Sequence, residues 1–434
     1  MTQQLNRPQQ QGPAISGWGL WFSLLTVLSL FAIFIGMLVG YLPQVVRFAQ
    51  SSRSSISPLR GSERGPLPRS VVYEETGQLW IISAWDGVPR KVSTPGYIYS
   101  RAVPPLFTPS GLLVYSGHGV WLTNPFSGHP KQIARLPAGQ IITSLALSQD
   151  GSQLAWTSVP ASGKGTINLY VGLLEATVLV HQQPANLCPC FRVFSFWHDS
   201  ASLGDKTLLL TEDHGDHETV QHGLWIFNLN EGAAAQPRQL LASDPPQGPL
   251  ALAPDDSHLL YASWEGYTPA PGDNSVPDDA QALSYANDLN IAAIDTQVPK
   301  LAPSQVIVHK QPLPKLEAMT SSTYHWIMTP RFSPDGHTLA YLEFTNNVYA
   351  LFSRSSKIYI VSINDLGTQL TLGSPRPIAV GNSGYSELGG WIDEHDLILY
   401  ANGGIYTLDV QHATLAKIIL TKEYAQIIGT VARG

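Results

Sequence analysis

From Ser70 onward, apolar and polar positions alternate in short runs that recur in a fixed order. One recurring run sets an aromatic among aliphatic residues: Leu79-Trp80-Ile81-Ile82, Val120-Trp121-Leu122, Leu169-Tyr170-Val171, Leu224-Trp225-Ile226-Phe227, Ile358-Tyr359-Ile360-Val361 and Ile405-Tyr406-Thr407-Leu408. Leu289-Asn290-Ile291 is a seventh copy without the aromatic. A polar turn such as Phe126-Ser127-Gly128 or Asn230-Glu231-Gly232 follows, and then a second apolar run such as Lys417-Ile418-Ile419-Leu420. Two short strands about one turn read as a hairpin.

A second signal precedes most of these hairpins. Phe332-Ser333-Pro334-Asp335-Gly336 leads to Leu339-Ala340-Tyr341, and Phe107-Thr108-Pro109-Ser110-Gly111 leads to Val114-Tyr115. Leu147-Ser148-Gln149-Asp150-Gly151 and Leu252-Ala253-Pro254-Asp255-Asp256 repeat the layout, with degenerate copies at Trp197-His198-Asp199-Ser200 and Trp391-Ile392-Asp393-Glu394-His395. Proline presets φ, aspartate bonds the local backbone and glycine accepts positive φ, so each copy predicts a tight turn. Two hairpins per unit make a four-stranded blade. The expected fold is all-β: a β-propeller of about seven blades over residues 70–434, with six or eight as the neighbouring counts. Its strand aromatics are expected to pack the wedges between blades. The first unit, from Val71, lacks an innermost strand, and the apolar run Tyr424 to Val431 is left over. We therefore expect the C-terminal run to complete the first blade, with Ile427 and Ile428 beside Val72.

The chain before the repeat reads differently. Residues 1–17 form a short polar tail, and Trp18 to Leu42 carry no charge. As a helix this stretch would span roughly 37 Å, enough for a hydrocarbon core of about 30 Å. Trp18, Trp21 and Tyr41 suit the two interfaces, so a retained single-pass anchor is expected rather than a cleaved signal. Gly36 and Gly40 have the Gly-x-x-x-Gly spacing through which two such helices can dimerise. Residues 43–69, rich in Ser, Pro and Gly, read as a flexible linker. Arg7 before the helix against Arg47, Arg53 and Arg60 after it argues for a cytoplasmic C-terminal side, a bias that large domains override.

Charge narrows the partners. Charged residues make up 13% of the chain, and the net charge is −7. Six arginines and one glutamate stand before Ser70, so the acidity is concentrated in the body, a poor nucleic-acid binder.

Ser333-Pro334-Asp335-Gly336 followed by Leu339-Ala340-Tyr341 and Lys357-Ile358-Tyr359-Ile360-Val361 resembles the Pro-Asp repeat of TolB-like proteins and of prolyl oligopeptidase propellers. In that family the motif is structural. The resemblance implies an exported propeller at the cell membrane, placed outside the cytoplasm. Peptidase relatives carry a Gly-x-Ser-x-Gly nucleophile, and Gly381-Asn382-Ser383-Gly384-Tyr385 departs from it at the last position.

In a meander of strands A to D, the long connections B–C and D–A emerge on one face, which makes that face and its central funnel the expected binding region. Arg101, Arg192, His325, Trp326 and Tyr385 are expected just before innermost strands and are the candidate funnel-mouth residues. The loop from Glu212 to His222 holds His214, Asp216, His217 and His222, ligand types for a divalent metal without a recognised spacing. The alternative is a solvated polar loop. No other cofactor is expected. Cys188-Pro189-Cys190 leaves a local disulfide and two thiols both open. The favoured function is non-catalytic binding of a protein, peptide or glycan at a membrane surface. The alternative is a propeller enzyme acting on glycans or other cell-surface polymers, which would need converging carboxylates.

Overall fold

The computed structural model describes residues 67–100, 103–185, 190–197, 207–212, 222–243, 247–263, 288–295, 300–309, 323–347, 355–365, 370–379 and 386–432. The expected tail, membrane helix and most of the linker lie outside these residues. Among the described residues no helix is long and apolar enough to cross a membrane.

Seven antiparallel sheets, six of them meanders of consecutive strands and the first completed by the C-terminal strand, build a seven-bladed propeller. The innermost strands are Ala425–Val431, Leu106–Phe107, Gln140–Leu147, Phe191–Trp197, Gln247–Leu252, Thr323–Phe332 and Ser386–Trp391, for the first to the seventh blade. Among the described residues six of the seven neighbouring pairs in this set meet closely around the ring, all but the fourth and fifth blades' strands, which makes the set the wall of the central channel. In the fifth and sixth blades the outermost strand is broken into two segments. Lys300–Leu301 and Gln305–His309 both pair with Asp288–Asp295, and Leu370–Leu372 and Arg376–Ala379 both pair with Ser355–Asp365.

The ring closes as the leftover strand predicts. Ala425–Val431 pairs with Ser70–Glu75, matching Tyr73 with Ile427 and Val72 with Gly429; a bulge between them takes up Ile428. Gly389 makes room for this strand, since a Cβ there would lie 2.4 Å from the Ile427 side chain.

The tight turns follow the expected chemistry. In Ser148 to Gly151, the Ser148 hydroxyl donates to Asp150 at 2.6 Å, the Ser152 amide donates to the same carboxylate at 2.9 Å, and Gly151 N donates to Ser148 O at 2.8 Å with φ 71°. Ser333 to Gly336 repeats the arrangement. The glycine also serves the ring: a Cβ on Gly151 would meet Pro109 of the preceding blade's turn at 2.5 Å.

Packing between blades is apolar, and in several blades aromatics also pair within the blade. Trp156 stacks on Tyr170 at 4.0 Å and Tyr341 on Tyr359 at 5.2 Å, each a second-strand and third-strand pair. The third-strand residue also uses a polar partner two places along the second strand. Trp225 Nε1 donates to Glu212 at 2.6 Å, and Asn290 Nδ2, at the aromatic's place in the fifth blade, donates to Ser263 at 2.8 Å. In the second blade that place is Gly117, and Trp121 Nε1 is buried without a partner among the described residues.

Candidate functional site

The central channel is where seven strands bring side chains from distant parts of the chain together. Across the innermost strands the acidic, basic and imidazole residues are Arg192, His325, Arg331 and Glu387. Each is positioned by a strand paired on its outer side, so its backbone is held by the ladder.

Arg331 and its neighbours are the most unusual group of this wall. The register between the first and second strands of the sixth blade breaks between Met328 and Arg331, at Thr329-Pro330. Proline has no N–H for the ladder, which favours a bulge there. Thr329 adopts φ 40°, a left-handed backbone that a β-branched residue takes only under constraint. Its Oγ1 is buried with no hydrogen-bond partner among the described residues. Arg331 Nη1 donates to the adjacent Pro330 O at 3.2 Å. Burial holds the guanidinium's pKa below its ordinary value, and the Glu387 carboxylate within Coulombic reach offsets only part of that. Glu387 accepts the Tyr424 hydroxyl, and Trp391 Nε1 donates to Arg331 O at 3.1 Å, which ties the sixth blade to the seventh.

At the tight-turn end, a cavity of about 450 Å³ opens among the first four blades. Arg69, Phe107, Ser148, Gln149, Phe194 and Thr430 are among its lining residues, and its described lining holds no carboxylate, imidazole or thiol. Arg69 is also where the chain enters the propeller, directly before Ser70. This recess lies at the end of the channel opposite the loop-rich face on which binding is expected.

Of the expected funnel residues, Arg192, His325 and Trp326 lie near the leading ends of innermost strands, in the fourth and sixth blades. Arg192 pairs with Thr211 and is half-buried. Arg101 and Tyr385 lie outside the described residues. So do His214, Asp216 and His217, and among the described residues no group of three metal-ligating side chains occurs. His222 is buried at the start of its strand, opposite Glu212. Its Nδ1 is 3.1 Å from Ser243 O; a carbonyl only accepts, so Nδ1 carries a proton in this contact. Glu212 accepts Trp225 Nε1 and the Ser243 hydroxyl. Cys190 is disulfide-bonded, and Cys188, the chain's other cysteine, lies outside the described residues.

Thr329, Arg331 and Glu387 were not among the sequence candidates. The signal that could have found the first two is Pro330, a proline inside a strand pattern next to a channel arginine.

No family model matches the chain, and no curated protein matches it. Solved structures do share its fold. A periplasmic gluconolactonase from Pseudomonas aeruginosa is 13% identical, with a TM-score of 0.47 over 85% of this chain and 100% of that one. A candidate TolB from Agrobacterium tumefaciens is 10% identical, with a TM-score of 0.38 over 85% and 92%. An oligogalacturonate lyase in complex with manganese is 12% identical, with a TM-score of 0.41 over 68% and 81%. These likenesses concern the propeller fold alone, and the chemistry named for each belongs to that protein.

Proposed function

We propose that this chain is a membrane-anchored, non-catalytic propeller of TolB-like kind that binds a protein, peptide or glycan through its channel and loop-rich face. One observation carries the reading: the seven innermost strands hold a single carboxylate, Glu387, beside two arginines and a histidine. Glycoside hydrolysis needs two carboxyl groups ~5 to 9.5 Å apart across the scissile bond. The buried carboxylates Glu74, Glu212 and Glu343 stand one strand further out, and Asp288 two. Glu212, with its indole and hydroxyl donors, is held there by packing. Guanidinium and aromatic groups at a channel wall suit recognition of acceptor-rich ligands.

The second reading, a propeller enzyme acting on cell-surface polymers, rests on Glu387 and its Tyr424 partner as an acid–base pair. Full-length protein in detergent micelles is assayed against chromogenic glycosides, polyuronates and lactones. No turnover is expected; turnover that disappears in E387Q would establish the enzyme. The anchor has its own test. Protease added to intact cells should degrade the propeller and spare the N-terminal tail. Protection until lysis would place the propeller in the cytoplasm.

A further inference from the structure

Three features meet on the innermost strand of the sixth blade, and packing accounts for none of them. Thr329 holds a left-handed backbone at φ 40° immediately before a proline, although both its branching and its successor favour extended geometry. Its hydroxyl is buried and makes no hydrogen bond among the described residues. Two residues on, Arg331 stands half-buried at the channel wall, and its one hydrogen bond among the described residues uses a single donor on the carbonyl of its own neighbour. A guanidinium has five N–H donors, so the others are left for water or a ligand. Strain of this kind, kept at a buried hydroxyl without a partner among the described residues, is characteristic of ligand clamps.

We propose that Arg331 and Thr329 form the seat for the carboxylate group of a ligand held in the central channel. The proposal rests on the channel-binding reading and names the group recognised there. A planar guanidinium fork matches a planar carboxylate with two parallel hydrogen bonds, and the neutral Thr329 hydroxyl can supply a third donor. Glu387 decides between anions. Its charge lies within reach of Arg331 and is itself bonded by the Tyr424 hydroxyl, so a singly charged carboxylate fits the local balance better than a doubly charged phosphate. Gly390, on the adjoining innermost strand, has open space where a side chain would stand.

The test is a titration of the full chain in detergent micelles with acetate, and separately with inorganic phosphate, read by saturation-transfer NMR at fixed ionic strength. Acetate should bind saturably and phosphate more weakly. R331Q should weaken acetate by about tenfold or more, because a charge-assisted pair is lost. R331K keeps the charge without the fork and should fall between the two. T329V keeps the branched shape, loses the hydroxyl and should weaken acetate about fivefold. T329G relieves the backbone, so it should melt at a higher temperature than the parent while binding acetate less well. A purely structural threonine would not divide stability from binding in this way. Unchanged acetate binding in folded R331Q and R331K would overturn the seat, and tighter binding of phosphate than acetate would overturn the ligand class. Absence of saturable acetate binding by the parent would also overturn it. If a partner cross-linked to the parent is captured equally by R331Q, the binding function stands and the carboxylate seat alone is wrong.

Discussion

Trp121 and Trp225 occupy the same place in two blades, and their indole N–H groups differ in fate. Trp225 donates to buried Glu212, whereas Trp121 faces Gly117, where no side chain exists to accept. Removing a donor that has a buried charged acceptor leaves that acceptor underserved, at a cost of about 1–3 kcal/mol. W225F should therefore lower the denaturation midpoint distinctly more than W121F, which discards an unsatisfied donor. Equal losses would show that ring volume, not the hydrogen bond, sets both effects. Restoring the missing partner is not open to the second blade, because a Cβ at Gly117 would lie 2.3 Å from Gly96 O; G117S should destabilise rather than repair. These polar pairs were not legible in the sequence. Glu212 and Trp225 are brought into register only after the loop between their strands is crossed, and no local spacing encodes that. The tight turns were legible because serine, aspartate and glycine act within five residues of one another. Thr329 was hidden for the same reason as Glu212: its φ is imposed by the ladder on either side of Pro330.

Among the elements, the strand Ala425–Val431 has the largest structural responsibility for its size. It fills the inner edge of the first blade and packs Ala425 and Ile427 into the core shared with the seventh. The leftover apolar run revealed it, since a blade without an innermost strand and a spare strand elsewhere have one economical solution. Deleting residues 421–434 should expose the inner edge of Ser70–Glu75 and unfold the ring, seen as loss of the cooperative melting transition. A subtler test uses Gly389, whose replacement by alanine would drive a methyl into Ile427. G389A should destabilise, and adding I427A should recover part of the loss, a coupling visible in a double-mutant cycle. Additive losses would mean that the two positions do not meet.

For the whole molecule, the turn aspartates make stability a function of pH. Asp150 is held below the usual carboxylate range by the Ser148 hydroxyl and the Ser152 amide and hydroxyl. At Asp255 and Asp335 burial pushes upward, but hydrogen bonds from Ser257 and from Ser333 and His337 outweigh it. Groups with a lowered folded pKa stabilise above their unfolded pKa, about 4, and that contribution is lost as pH falls through the folded value. The melting temperature should accordingly change little through these groups from pH 7 to about 5 and decline below about 4. In D335N the decline should be shallower, because one of the contributing carboxylates is gone. Scanning calorimetry across that range checks both statements; a parent melting temperature independent of pH below 4 would contradict the assignment.

The closing strand also sets an order of events during synthesis. Glu75, the last residue of the propeller's first strand to emerge, accepts hydrogen bonds from Lys422 and Glu423, the nearer of them 347 residues later in the chain. While the ribosome makes the intervening blades, the inner edge of Ser70–Glu75 therefore waits with its backbone donors and acceptors unpaired. That edge is the part of the nascent chain a chaperone would have to guard, and a stalled ribosome would display it.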